Sequence, residues 1–435
     1  MNQKAIFQKT FSIQFLKIMF KNINSNHQII LKNFSYLTLM KFFNIGIKIV
    51  LAAYLIRVLG TEKYGLITWL DSVIQYFIMI VNFGFNIYAA KYIVENKNNT
   101  NKINEIVSSI FIIKGLLFVL SIICILILGN FETFYDYRQL LFILMFCGIG
   151  EVLFPVWFFQ GIENLKPATI IVFLTRLFLL ICTIVFVTTE DNLLTYIVLF
   201  VASSVSMGVL GVYYLFKQYE IKITLLSFAK LKMYFTESLP FFIGRFLSLV
   251  FNFGTIFFIG KFCLLEQVTG FDTSLKIIML GVIPFEMLQQ AVFPTISRTK
   301  NKKLLKNLVY LSLIVGSIIG IFIFLMADYF MIWFGGDEML QFSETLKTLT
   351  ILCPFVALTF ILGTCSLVAF GFYQEYNFSL IFTSIIYILI LIVLYFNNQI
   401  NFWNLIYLRV FGDVLMALIR FYFSIQKRTL NFKLF

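Results

Sequence analysis

Apolar stretches of membrane-crossing length recur along this chain, separated by short polar breaks, and no other feature limits its fold so strongly. A helix that spans a bilayer needs about 20 apolar residues, because every backbone polar group must be satisfied within the hydrocarbon. Twelve such stretches can be placed, near 34–57, 66–90, 106–129, 139–160, 169–187, 194–216, 236–259, 271–294, 308–333, 347–370, 378–396 and 404–424. At about 20 residues each they use just over half of the chain, leaving only short loops and tails. Hydrophobic residues make up 60 % of the sequence and charged residues 13 %. Soluble proteins carry roughly 25 % charged residues, so a water-soluble enzyme is excluded. The 55 Phe and 21 Tyr exclude a disordered chain, which is poor in aromatics. The expected fold class is an all-α integral membrane protein with about 12 transmembrane helices.

The net charge of +13 would suggest nucleic acid in a soluble protein. Here it reports topology, since Lys and Arg collect in cytoplasmic loops. With both termini cytoplasmic, the cytoplasmic segments hold 21 Lys and Arg and the opposite loops 4, counting Arg57 with the loop it precedes. No nucleic-acid partner is expected. The opposite loops, 58–65, 130–138, 188–193, 260–270, 334–346 and 397–403, are all short. Membrane glycosyltransferases and polymerases of this size usually need a large external loop.

A weak internal repeat divides the chain. Leu59-Gly60 closes the first helix and Ile259-Gly260 the seventh; Glu62-Lys63-Tyr64-Gly65 and Glu266-Gln267-Val268-Thr269-Gly270 follow. Two six-helix lobes related by an axis along the membrane normal are a common transporter plan. The expected organisation is a cytoplasmic tail over 1–33, an N-lobe over 34–216, a linker over 217–235, a C-lobe over 236–424 and a cytoplasmic tail over 425–435. In the first segment, Ile6, Phe7, Phe11, Phe15, Ile18 and Met19 recur at helical spacing among spread lysines. An interfacial helix and a true start at Met19 are both open readings.

Conventional catalysts are missing. There is no Walker-type loop, no G-x-S-x-G and no H-E-x-x-H, and Gly148-Ile149-Gly150 lacks the third glycine of a dinucleotide fingerprint. The single His27 and six scattered cysteines offer no metal set. No catalytic residue, metal or cofactor is assigned, and the expected work is binding and movement.

A charge in the bilayer usually faces a cavity or a partner. Asp272 with Lys276, and Arg409 with Asp413, are spaced i,i+4 and can neutralise each other locally. Lys41, Lys48, Lys114, Arg176 and Arg245 have no such local acid. Together they could form a cationic lumen suited to a phosphate-bearing anion. Asp71, Glu151 and Glu286 could instead pair with them, or couple transport to H+ or Na+. Pro155, Pro240, Pro284 and Pro354 interrupt the helices that carry or flank these charges.

Several segments then resemble a family. Leu59-Gly60-Thr61-Glu62-Lys63-Tyr64-Gly65 resembles the LGxxxYG signature of bacterial polysaccharide flippases. Asn82-Phe83-Gly84-Phe85 is similar to their D/N-F-G-F segment, and Pro155-Val156-Trp157-Phe158-Phe159-Gln160-Gly161-Ile162-Glu163 to their PxWFFQGxE segment. Ser238-Leu239-Pro240-Phe241-Phe242 and Phe293-Pro294-Thr295-Ile296-Ser297-Arg298 look like their seventh- and eighth-helix signatures. The family is the Wzx-type O-antigen or repeat-unit flippases, in the polysaccharide branch of the multidrug/oligosaccharidyl-lipid/polysaccharide exporter superfamily. The resemblance covers roughly 33–430.

The resemblance implies two six-helix lobes around a V-shaped lumen in the bacterial inner membrane. It implies export of an undecaprenyl-diphosphate-linked oligosaccharide to the outer leaflet by alternating access, among membrane lipids and alongside a polysaccharide polymerase and chain-length machinery. Asn82 stands where the family often has Asp, which removes one coupling carboxylate. With no cofactor expected, the driving force would be H+, Na+ or the membrane potential. An ion-coupled drug or cation antiporter of the same superfamily and a membrane polymerase or glycosyltransferase are the alternatives.

Overall fold

The computed structural model describes residues 25–430, without the side chains of 25–34, 37, 243–245, 247, 248 and 250–252. The helix considered for 1–33 therefore lies largely outside the described residues. So does the Arg245 side chain.

Among the described residues the structure is helical, with no strand. We number the α-helices in chain order. The first is α1 (Ser25–Asn82), followed by α2 (Phe85–Glu95) and α3 (Thr100–Leu128). A fourth crossing is broken into α4 (Arg138–Met145), α5 (Cys147–Leu153) and α6 (Val156–Gly161). Next come α7 (Lys166–Phe186), α8 (Leu193–Tyr219), α9 (Phe228–Phe262), α10 (Leu265–Thr299), α11 (Lys302–Leu325) and α12 (Ala327–Gly335). The tenth crossing joins α13 (Ser343–Leu349), α14 (Leu352–Phe360) and a π-helical stretch, Ile361–Val368. The chain ends in α15 (Tyr373–Phe396) and α16 (Phe402–Gln426).

α1 is two crossings. Gly60 has φ 84° and ψ 166°, which no residue inside a helix adopts and which glycine reaches without strain. On one side of it Tyr54 donates to the Val187 carbonyl at 2.8 Å, and on the other Lys63 donates to the Glu190 carbonyl at 3.0 Å. Far from Gly60 in both directions the chain returns to one place: the Tyr36 carbonyl accepts from Thr169, and Lys97 pairs with Glu163. The limbs therefore run to one end of the molecule and back. With α9 included, the described residues make twelve crossings. We call the end carrying Gly60 and the 187–192 turn the sparse end, for its few Lys and Arg, and the opposite one the basic end.

Within the segment 217–235, residues 220–227, between α8 and α9, are non-helical. Pro155 stands at a helix break, and Pro354 lies just inside one; Pro240, Pro284 and Pro294 sit within continuous helices.

The outside of the bundle is apolar. Leu116, Leu120, Ile123 and Ile127 on α3, and Ile314, Ile318, Ile321 and Leu325 on α11, are all at least half exposed. Their spacing of three or four residues puts each set on one helix face. Stripes of that extent would drive a soluble protein to aggregate, and they fit the hydrocarbon of a bilayer.

The buried core is not symmetric between the ends. At the sparse end a single cluster runs through both lobes, from Leu55 and Leu70 through Leu144 and Val268 to Leu346 and Leu405. At the basic end the cores are separate, one around Tyr88, Trp157 and Phe159, the other around Ile296, Leu362 and Ala417. The lobes share one core at the sparse end and have separate cores at the basic end, where the start of α9 bridges them.

Candidate functional site

A cavity of about 180 Å³ lies between the lobes toward the sparse end. Lys48 and Asp71 reach it from the two limbs of α1, and Arg176 from α7; Asp272 and Lys276 reach it from α10. Five charged groups thus surround one space, three cations against two acids. Arg176 donates from Nε to Asn44 Oδ1 at 3.1 Å, and Asp71 accepts from Gln75 at 3.0 Å. Neither bond uses up the charge. Lys48 forms no ion pair or hydrogen bond among the described residues, and its exposed side chain lines the cavity.

The sparse end of this cavity is sealed by the two repeat segments, which meet. Tyr64, on α1, donates to Asp272 Oδ2 at 2.9 Å and accepts from Lys276 Nζ at 2.7 Å; Lys276 also pairs with Asp272. Thr269 Oγ1 donates to the Thr61 carbonyl at 2.5 Å. A Cβ on Gly65 would collide with the Leu265 carbonyl, so this crossing needs glycine for close approach. Gly260 likewise lies under the Trp69 indole, whose Nε1 donates to the Phe257 carbonyl at 3.2 Å. The LGxxxYG segment is therefore the N-lobe half of a closure.

The remaining signatures sit at the basic end. Phe83 (φ 46°) and Gly84 (φ 76°) break the chain between α1 and α2. The Phe83 ring stacks on Phe235 and Phe242, at 4.2 and 4.6 Å between centroids. Tyr88 and Tyr92 both donate to Glu237, at 2.6 and 2.9 Å. Glu105 accepts from Lys230 and Tyr234, each at 2.9 Å. The start of α9 thus packs on the N-lobe. In PxWFFQGxE, Trp157, Phe158 and Phe159 are buried and Glu163 holds Lys97 at 2.7 Å.

The structure distributes the sequence-derived candidates over three places. Lys48, Arg176 and Asp71 line the cavity. Lys41 pairs with Glu286 across the α1–α10 boundary, on a groove of about 280 Å³ whose walls include Phe42, Ile45, Leu280, Ile283 and Met287. Lys114 is fully buried inside the N-lobe, 2.9 Å from Glu151 Oε1, which also accepts from Asn82 at 2.6 Å. Arg245 has no described side chain. Sequence reasoning passed over Tyr64, Asp272 and Lys276. The i,i+4 pair explains itself on one helix, so its second role, toward Tyr64 of the other lobe, has no sequence signal beyond the repeat. Among the described residues no His, Cys, Asp and Glu cluster could hold a metal, and all six cysteines are free thiols.

Residues 30–300 match the Polysacc_synt family, described as "Polysaccharide biosynthesis protein". Two curated proteins, each called "Putative O-antigen transporter", are similar. One, from Escherichia coli (strain K12), is 23 % identical over 282 residues, 64 % of this chain and 67 % of that protein. The other, from Shigella dysenteriae, is 24 % identical over 272 residues, 61 % of this chain and 67 % of that protein. Among solved structures, "Lipid II flippase MurJ, inward closed conformation" aligns with TM-score 0.73 at 12 % identity, over 89 % of this chain and 86 % of the other. An inward-facing multidrug resistance MATE family transporter of the MOP superfamily aligns with TM-score 0.71 at 15 % identity, over 89 % and 94 %. At these identities the structural likeness is one of fold. The chain belongs to the Polysacc_synt family of polysaccharide biosynthesis proteins, on the two-lobed membrane fold that MATE transporters and MurJ share.

Proposed function

We propose that the protein is a flippase for an undecaprenyl-diphosphate-linked oligosaccharide, an O-antigen or similar repeat unit, carried from the cytoplasmic to the outer leaflet of the bacterial inner membrane by alternating access. The observation that carries this reading is the cavity between the lobes, where Lys48, Arg176 and Lys276 outnumber Asp71 and Asp272. Arg and Lys are the usual ligands of phosphate oxygens. Family membership and the names of the curated relatives support the same substrate class.

At about 180 Å³ the cavity is smaller than the ~300–1,000 Å³ of ordinary ligand pockets, so an oligosaccharide enters only when the lobes part. The divided cores make the basic end the place where they part most cheaply. Taken as cytoplasmic, that end is where the head group loads. The apolar groove between α1 and α10 gives the lipid tail a way to stay in the bilayer, with Lys41 and Glu286 separating as it opens. The work is binding and movement, with membrane lipid as the surroundings and the polymerase and chain-length machinery as downstream partners.

Of the three candidate coupling carboxylates, Asp71 faces the cavity, whereas Glu151 and Glu286 are each held by a lysine. The membrane potential needs no carboxylate. With the interior negative it favours expulsion of an anion and return of an empty cationic carrier. An antiporter for cationic drugs would need an acidic lumen, and a polymerase a larger sparse-end surface.

The test is the sidedness of the lipid-linked oligosaccharide in cells depleted of the protein, read with a membrane-impermeant sugar-oxidising probe on spheroplasts and inverted vesicles. Accumulation on the cytoplasmic leaflet is expected. Normal outer-leaflet exposure, with unpolymerised units or altered drug tolerance, would refute the flippase reading.

A further inference from the structure

The third cation of the cavity is tied into the seal. Lys276 donates to Tyr64 at 2.7 Å and pairs with Asp272, and Tyr64 donates to the same Asp272 oxygen at 2.9 Å. The ring joins the lobes, with Tyr64 on α1 and the two charged groups on α10. All three line the space that Lys48 and Arg176 also line.

We propose that Tyr64, Asp272 and Lys276 form a charge-operated latch: a phosphate-bearing anion seated against Lys48 and Arg176 draws Lys276 out of the ring as its third cationic ligand, and the sparse end is thereby released. The proposal rests on the flippase reading for its natural ligand, a lipid-linked diphosphate, but the latch itself needs only the anion. Lys276 is an ammonium with three donors on a flexible stem, so it can turn from one acceptor to another. A diphosphate carries more negative charge than the one carboxylate it competes with, and its hydrogen bonds from ammonium are charge-assisted. Its arrival also sets like charge beside Asp272, in the same cavity. Without Lys276, one Tyr64–Asp272 hydrogen bond is left of the ring. The rest of the seal is packing and hydrogen bonds to backbone carbonyls: the Thr269–Thr61 and Arg57–Trp333 hydrogen bonds, the packing of Gly65 on Leu265 and the shared apolar core. A neutral sugar or a cation has no means of taking Lys276. The empty carrier therefore stays latched and the anion-loaded one opens, because a ligand shifts an equilibrium only by its different affinity for the two states.

The test uses the full chain with its six cysteines replaced and spin labels at Glu62→Cys and Lys261→Cys, which flank the seal on opposite lobes. Inorganic diphosphate is the probe, and the distance distribution is the readout. Diphosphate is expected to raise the ratio of separated to closed molecules about tenfold, and a neutral disaccharide to leave it unchanged. Tyr64→Phe, which removes one hydroxyl and keeps the ring, is expected to separate without ligand. Lys276→Gln is expected to lose the response to diphosphate. An unresponsive parent chain, a response to the disaccharide, Tyr64→Phe closed like the parent, or Lys276→Gln responding like the parent would each overturn the latch. Failure of the flippase reading is seen separately. Labels that part with diphosphate, combined with normal lipid-linked sugar sidedness in depleted cells, would keep the latch and assign it to a free or nucleotide-borne diphosphate. Unmoved labels combined with trapped inner-leaflet sugar would keep the flippase and discard the latch.

Discussion

Lys48 and Lys114 are the same residue type within the bilayer, and their surroundings set them apart. Lys114 is fully buried, with Glu151 as its counter-charge and the Glu151 carbonyl as a second acceptor at 3.0 Å. Removing one partner of a buried pair leaves the other charge unsatisfied, at a cost of roughly 3–5 kcal/mol. Lys114→Ala should therefore lower thermal stability in detergent and reduce the amount of folded protein. Lys48 is exposed on the cavity and forms no ion pair or hydrogen bond among the described residues. Lys48→Ala should keep the parent's melting temperature and lower export of the lipid-linked sugar. Full complementation of export by Lys48→Ala would remove it from the binding site. Both lysines stand out equally in the sequence, since hydropathy does not distinguish a lumen from a protein interior.

At the scale of elements, the seal depends on how closely α1 and α10 approach. Gly65 sits against the backbone of Leu265, so even one methyl group forces the two helices apart. Overpacking of this kind costs about 1–3 kcal/mol, and here it falls on one of the two states of the carrier. Gly65→Ala should shift the molecule toward separation at the sparse end, seen as a longer distance between labels at positions 62 and 261, without loss of helical circular dichroism. The fourth crossing shows what the pattern of apolar residues hides. It reads as one stretch near 139–160, yet it breaks at Phe146 and again at Phe154–Pro155. Proline marks the second break. The first has no sequence marker. The π-helical stretch Ile361–Val368 is similarly silent: Gly363 there makes room for the Arg420 guanidinium, a contact that only the packed lobe creates.

For the whole molecule, the lobes must separate at the basic end for a head group to enter. Lys41 and Glu286 bridge α1 and α10 beside the apolar groove. A bis-methanethiosulfonate cross-link between Lys41→Cys and Glu286→Cys, in the chain without its native cysteines, should stop export, and reduction should restore it. Export that continues in the cross-linked protein would move the lateral opening elsewhere. A cationic carrier moving an anion also responds to voltage, at about 2.3 kcal/mol per charge per 100 mV. Collapsing the potential while the proton gradient is held should slow export, and an unchanged rate would sink electrophoretic coupling.

The sequence alone determined what depends on local composition. Apolar stretches of bilayer length imposed helices, the 21-to-4 bias of basic residues between loops distinguished two ends, and the Leu59–Gly65 and Pro155–Glu163 segments carried the family. Only the tertiary structure decided which charges share a space. Lys41 and Lys48 lie in the first crossing and Lys114 in the third, yet they face a groove, a cavity and a closed core. The Asp272–Lys276 pair, complete on its own helix, became an inter-lobe contact because Tyr64 was brought to it from more than two hundred residues away. A side chain's neighbours across a helix interface depend on the rotation and approach of both helices. That geometry is set by the packing of the whole bundle rather than by any one segment.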